Sequence, residues 1–241
     1  MELLNRFLLL TVSNGILGAL ALLPAQARAP EGTPPKVQLS LFNDAAVPLD
    51  VIAGAQLRAS SVLENAGVEV EWLSCRPKNK TDFSPATPEC STFAWPEHLS
   101  VRIVRRGTSV GDNVFGMSFL DGSGEGVYAS IYYGNMIDSK AYSGLSDADL
   151  LGYAIVHEVG HLLLGPHSHS PNGVMQAKWQ KSTFVAASQG RLLFSESQAN
   201  LIRDRLERVN CRARLAQKAE SLAQPDTNLV GRRVGLPTAL F

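Results

Sequence analysis

Four of the chain's five histidines fall between positions 157 and 169, in the stretch Val156-His-Glu-Val-Gly-His-Leu-Leu-Leu-Gly-Pro-His-Ser-His-Ser-Pro-Asn-Gly-Val-Met175. His157 and His161 are four residues apart. On a helix both imidazoles would leave one face at neighbouring positions, where they can meet one metal ion. Glu158 follows the first of them. At this His-Glu-x-x-His spacing the glutamate serves zinc hydrolases as a general base, taking a proton from metal-activated water and passing it to the leaving group. Zinc suits the donor set because it accepts nitrogen, has no redox chemistry and keeps an open position when a protein supplies three ligands. Two histidines compete for the third place, His167 and His169. Glu196, further along, is an alternative of a different kind. A closed site with four histidine ligands would instead make the metal structural, in a binding or structural protein without turnover; Glu158 argues against that, because a closed site has no use for a general base.

Such a site needs a helix to carry it and a sheet to support the helix. Ser146-Asp-Ala-Asp149 reads as a capping-box-like start, with Asp in place of the commoner Glu, and Gly165-Pro166 reads as the stop. Between them Leu150, Leu151, Ala154 and Ile155 give the helix an apolar face. Strands are expected at 37–42, 68–72 and 99–104, and across 113–120 and 127–133, the last two joined by the glycine-rich turn at 121–126. Residues 50–66 show helical spacing, with Gly67 placed as a C-cap glycine. A short helix is expected after Met175 and a longer one from Ser195 to about Lys218. The order is mixed rather than regularly alternating, which favours an α+β domain.

Composition sets the surroundings. The chain has 241 residues, 45% of them apolar and 18% charged, enough for a substantial core. Its 22 basic and 22 acidic residues cancel, so no overall field attracts nucleic acid or an anionic membrane. The basic stretch from Arg203 to Arg214 has helical spacing and reads as a solvated helix face. Residues 1–27 read as an export signal: Arg6, an apolar run, then Ala25-Gln26-Ala27 in the small-x-small form of a cleavage site; the alternative is an uncleaved membrane anchor, since the run approaches bilayer-spanning length. The reading is therefore a signal peptide at 1–27, a linker at 28–36, one domain at 37–218 and a tail at 219–241. The exported body carries no further segment apt to insert stably in a membrane. A disulfide between Cys75 and Cys90 would suit an oxidising compartment and leave Cys211 unpaired; the alternative is three free thiols.

The histidine stretch resembles the metzincin zinc metallopeptidases, whose pattern is H-E-x-x-H-x-x-G-x-x-H followed by a methionine turn. It departs from them in two ways: the glycine stands one residue late, at 165, and two histidines compete for the third ligand, of which His167 keeps the group's spacing from His161. The ending His169-Ser-Pro-Asn-Gly-Val-Met175 is similar to the His-Ser-x-x-Gly-Ile-Met of a bacterial exported group of metzincin-like proteins. Gly67-Val-Glu-Val-Glu-Trp72 with its following cysteine, Gly126-Val-Tyr-Ala-Ser130 and Gly190-Arg-Leu-Leu-Phe194 extend that likeness over most of the mature chain. The resemblance implies a single zinc peptidase domain with a mixed twisted sheet, an active-site helix and a C-terminal helix. It further implies Zn²⁺ on His157, His161 and His169, with His167 as the alternative third ligand, and Glu158 as general base. Met175 would pack beneath the metal, and the substrate would be a peptide or protein. The strand at 127–133 resembles one that runs beside the active-site helix, where it is either an edge able to pair with an extended peptide or an internal strand with nothing free to offer.

Overall fold

The computed structural model describes residues 33–75, 88–107, 111, 113–139 and 144–223. All the described elements belong to the unit Pro34–Phe241, and the separate unit Met1–Thr33 lies almost wholly outside the described residues. The expected signal at 1–27 and most of the 28–36 linker therefore fall outside them, as do residues 224–241 of the expected tail.

Five strands form the sheet: β1 (Lys36–Asn43), β2 (Glu69–Cys75), β3 (His98–Val104), β4 (Gly116–Phe119) and β5 (Tyr128–Tyr132). Their spatial order is β2-β1-β3-β5-β4, parallel except for β4, which runs antiparallel to β5. Side-chain alternation gives this sheet two unlike faces. Leu39 pairs with Leu99, Leu41 with Val101, Val101 with Ala129 and Ile103 with Ile131, and all of them are buried in the core. The residues between them put Ser40, Ser100 and Ser130 on the opposite face. In β4, Gly116 lies opposite Ile131 and Ser118 opposite Ala129, so the apolar stripe ends at the sheet edge in two small residues.

That register decides between the two readings of residues 127–133. Residues 127–133 do not supply an edge, because β4 pairs along β5 and covers it. Among the described residues the free edge on this side is β4 itself. Tyr133 also leaves the strand expected for it and opens a short helix, α2 (Tyr133–Ser139), as the Gly134 N–H turns to the Arg105 carbonyl at 2.7 Å. Aromatic and β-branched residues before Tyr133 favour extended backbone, and nothing in their pattern marks the turn.

Helix α1 (Leu49–Asn65) packs on β2 and on the central helix α3 (Asp147–Leu164). It ends as the sequence implies: Gly67 takes φ +78°, Gly67 N–H reaches the Glu64 carbonyl at 2.8 Å and Val68 N–H reaches Leu63 at 3.0 Å, the paired bonds of a Schellman motif. Helix α3 packs on β3, β4 and β5 and is buried nearly all round, from Leu150 to Leu164. Ser146 caps its start, accepting from the Asp149 N–H at 3.0 Å. Asp149 does not close the capping box; its carboxylate takes the Ser146 hydroxyl at 2.8 Å and Arg58 Nε at 2.8 Å. Gly165, at φ +82°, ends the helix. Beyond it the carbonyls of Leu162 and Leu163, which have no partner within a helix that stops there, accept from Trp95 Nε1 at 2.8 Å and Arg205 Nη1 at 2.7 Å.

Two helices complete the fold, α4 (Lys181–Ser188) and α5 (Glu196–Ala223), the latter running five residues past the expected end. Cys75 and Cys90 form a disulfide, and Cys211 is free and exposed. No described helix is long and apolar enough to cross a membrane.

Candidate metal centre

His157 and His161 leave adjacent turns of α3 and their Nε2 atoms stand 3.2 Å apart. The loop after the helix returns His169 to them, with its Nε2 3.1 Å from that of His161. One nitrogen from each of the three lies within 4.8 Å of the others, forming a group able to hold a metal ion. Zinc–nitrogen bonds of about 2.0–2.1 Å in a tetrahedral site set ligand nitrogens roughly 3.3 Å apart, so the spacing fits that ion.

The hydrogen bonds behind the rings point the same way. His157 Nδ1 is 2.7 Å from the Val174 carbonyl, which can only accept, so the proton sits on Nδ1 and the Nε2 lone pair faces the cluster. His161 Nδ1 is 2.9 Å from Ser168 Oγ. Burial holds the His157 imidazole below its ordinary pKa, with His169 adding to that effect. Burial, then His157 and His169, push His161 down to about 4. Both rings are therefore neutral near pH 7, with electron pairs converging on a shared space. A cation satisfies those pairs, whereas a single proton between three nitrogens cannot.

His167 and His169 are separated by local backbone. His167 adopts φ +58°, unusual for a residue with a side chain, and it lies exposed outside the cluster. The reversal there carries His169 back toward the helix. Glu196 is exposed at the start of α5 and also lies outside the cluster.

Glu158 is 6% exposed, the one charged residue in the buried body of α3. Burial pushes its carboxyl up to about 7, opposed by a hydrogen bond from Ser118. Ser118 Oγ lies 2.7 Å from Glu158 Oε2 and 2.7 Å from the Glu158 carbonyl oxygen, and its single proton serves one of them at a time. Gly116 makes room for this side chain: a Cβ there would meet Glu158 Cγ at 2.5 Å and Oε1 at 2.6 Å. Met175 is wholly buried against α3, its sulfur only 2.4 Å from where a Cβ on Gly160 would stand. Trp179 stacks edgewise on Phe115, Tyr153 and Phe184 and lies 6.3 Å from the His157 ring centre. It packs as part of this aromatic group.

Ser118, Gly116, Ser168 and Gly160 escape sequence reading. Strand alternation does place Gly116 and Ser118 on one face, but no local signal pairs a strand position with a helix residue forty positions away.

No protein-family model matches the sequence, and no curated protein matches it. Among solved structures, the chain is similar to a zinc-dependent peptidase from Methanocorpusculum labreanum, with 16% identity and a TM-score of 0.43 over 68% of this chain and 99% of that one. Archaemetzincin from Archaeoglobus fulgidus, in complex with malonate, gives 16% identity and a TM-score of 0.40 over 68% of this chain and 99% of that one. Metalloproteinase-II from Bacteroides fragilis gives 14% and 0.41 over 70% of this chain and 52% of its own.

Proposed function

We propose that the chain is an exported zinc-dependent endopeptidase in which His157, His161 and His169 hold Zn²⁺ and Glu158 is the general base. The observation that carries the reading is the convergence of three imidazole nitrogens beside a buried carboxylate. When bound, zinc supplies Lewis acidity to the scissile carbonyl and to water. Glu158 accepts the proton released as water attacks and returns it to the departing amine, so one carboxylate serves twice. Ser118 holds Oε2 of that carboxylate and leaves Oε1 for the exchange. The Val174 carbonyl and Ser168 fix the imidazole rings so that Nε2 of each faces inward.

The free edge of β4 supports a peptide as the substrate. Its outward backbone groups can pair with an extended chain beside Glu158, and recognition through main-chain bonds admits many sequences. The Cys75–Cys90 disulfide supports export to an oxidising compartment.

The test is zinc content and hydrolysis of a mixed peptide library by the mature chain, alongside Glu158→Gln. One zinc in both proteins is expected, with cleavage by the wild type and a rate about 10²- to 10⁴-fold lower in the variant. One zinc in both with cleavage by neither would replace the peptidase reading with a zinc-stabilised binding protein. Zinc retained in His169→Ala but lost in His167→Ala or Glu196→Gln would move the third ligand.

A further inference from the structure

At the carboxyl end of α3 a cavity of about 340 Å³ opens between that helix end, the turn after β4 and α5, with no histidine in its lining. Three arginines of α5 line it: Arg205, Arg208 and Arg212. Their spacing of three and four residues puts them on one helix face, where like charges repel. Glu125 is the only acidic residue in the lining, so the walls carry a formal excess of two positive charges.

Three other arginines are neutralised, whereas Arg105, Arg191 and Arg203 are in no ion pair among the described residues. Arg58 pairs with Asp149, Arg102 with Asp44 and Arg106 with Asp138. None of the cavity arginines has an ion pair among the described residues. Arg205 uses a single N–H on the Leu163 carbonyl, and its guanidinium stands 6.0 Å from the centre of the Trp95 ring. Arg208 donates only to the Asp204 carbonyl of its own helix. Arg212 has no hydrogen-bond partner among the described residues. A guanidinium offers five donors, so most of the capacity at this site is unused by the protein. Burial and then Arg208 depress the Arg205 pKa, against the pull of Glu125, which is the direction expected where positive charges crowd in a partly dry site.

Of the remaining walls, Trp95, Leu201, Val209 and Pro166 are apolar, and Ser123 and Gly124 come from the turn after β4. Leu201 is 38% exposed beside the arginines, a hydrophobe left partly uncovered at the cavity mouth. The volume exceeds what a bare inorganic ion fills and lies in the range of small-molecule sites, roughly 300–1,000 Å³.

We propose that this cavity is a binding site for an oxyanion carried on an apolar body, a phosphate or carboxylate group held by Arg205, Arg208 and Arg212 with its organic part against Trp95 and Leu201. Guanidinium groups match both oxyanions, because paired N–H donors meet two oxygens at once. Neither the three clustered histidines nor Glu158 lines the cavity, so its ligand does not depend on peptide cleavage.

The test is calorimetric titration of the zinc-loaded mature chain with three probes: inorganic phosphate, phenyl phosphate and benzoate. Saturable binding of one phenyl phosphate or one benzoate per chain is expected, tighter than inorganic phosphate. The Arg208→Gln/Arg212→Gln variant should bind at least about tenfold more weakly, the scale of losing charge-assisted hydrogen bonds. Arg191→Gln, at an exposed arginine outside the cavity, should bind as the parent does. A preference for phenyl phosphate identifies a phosphorylated ligand, and a preference for benzoate a carboxylate. Arg205 is left intact because it also closes α3. Should the double variant fail to fold, Arg212→Gln alone gives the same reading. Absence of saturable binding by all three probes, or equal affinity in the arginine variant, overturns the proposal.

Discussion

The histidine-bearing face of α3 and the α5 face beside the end of that helix treat nitrogen in opposite ways. Around His157 and His161 burial strips the imidazoles of their protons, and fixed partners at Nδ1 turn the electron pairs inward. On α5, against the end of the same helix, Arg205, Arg208 and Arg212 find little to bind within the chain. The difference lies in the side chains' intrinsic basicity. Desolvation neutralises an imidazole at modest cost but cannot deprotonate a guanidinium, so one region seeks a cation and the other an anion.

The largest effect should come from His161→Ala. It removes the nitrogen central to the cluster, and zinc affinity should fall by more than the roughly 10- to 100-fold typical of losing a residue that merely orients a ligand. Zinc content by mass spectrometry after dialysis checks this, while phenyl phosphate binding at the arginine cavity should stay unchanged. Loss of both would show that the two regions are one site.

Next in size is Gly160→Ala. Its methyl would enter the space of the Met175 sulfur, and such overpacking costs about 1–3 kcal/mol. Thermal unfolding of the zinc-loaded protein should report that loss. An unchanged melting temperature would mean that Met175 yields freely and does not brace the histidine helix.

Removing the Ser118 hydroxyl should act on chemistry with little effect on metal binding. Ser118→Ala is expected to lower kcat by about tenfold, the worth of one hydrogen bond to a charged group, with KM and zinc content unchanged. Restoration of kcat by Ser118→Thr would show that the hydroxyl orients Glu158. A rise in KM alone would assign Ser118 to substrate binding through the β4 edge.

Salt should produce the smallest effect and separate the two regions most simply. Raising ionic strength from about 0.1 M to 1 M shortens the Debye length from roughly 10 Å to 3 Å. Phenyl phosphate affinity should weaken several-fold while zinc content stays constant. Equal resistance of both to salt would argue that apolar contact, not the arginines, holds the anion.

Much of this arrangement is legible in the sequence because it is local. The bounds of α3, the glycine ends of α1 and α3, and the proximity of His157 to His161 follow from helical period and capping. The antiparallel hairpin of β4 and β5 follows from a glycine-rich turn between extended segments. What stays hidden depends on distant pairing. That β4 is the edge, and that residues 127–133 are covered, depends on strand order, which no single segment encodes. The pairing of Ser118 with Glu158 and the gathering of Trp95, Pro166 and Arg205 have the same origin. The basic stretch from Arg203 to Arg214 reads as an ordinary solvated face until the fold sets three of its arginines along a cavity wall.

The side chains that close α3 also impose an order of assembly. Trp95 precedes Leu162 by 67 residues, and Arg205 follows Leu163 by 42, yet both bond carbonyls in the helix's last turn. Contacts so far apart in sequence form only after long loops close. A nascent chain that has emerged as far as residue 200 already holds all three clustered histidines, but not the arginine that fastens the end of their helix. Fastening of the histidine-bearing helix should thus await the synthesis of α5, and a protein truncated before Arg205 should present the histidines on a frayed support.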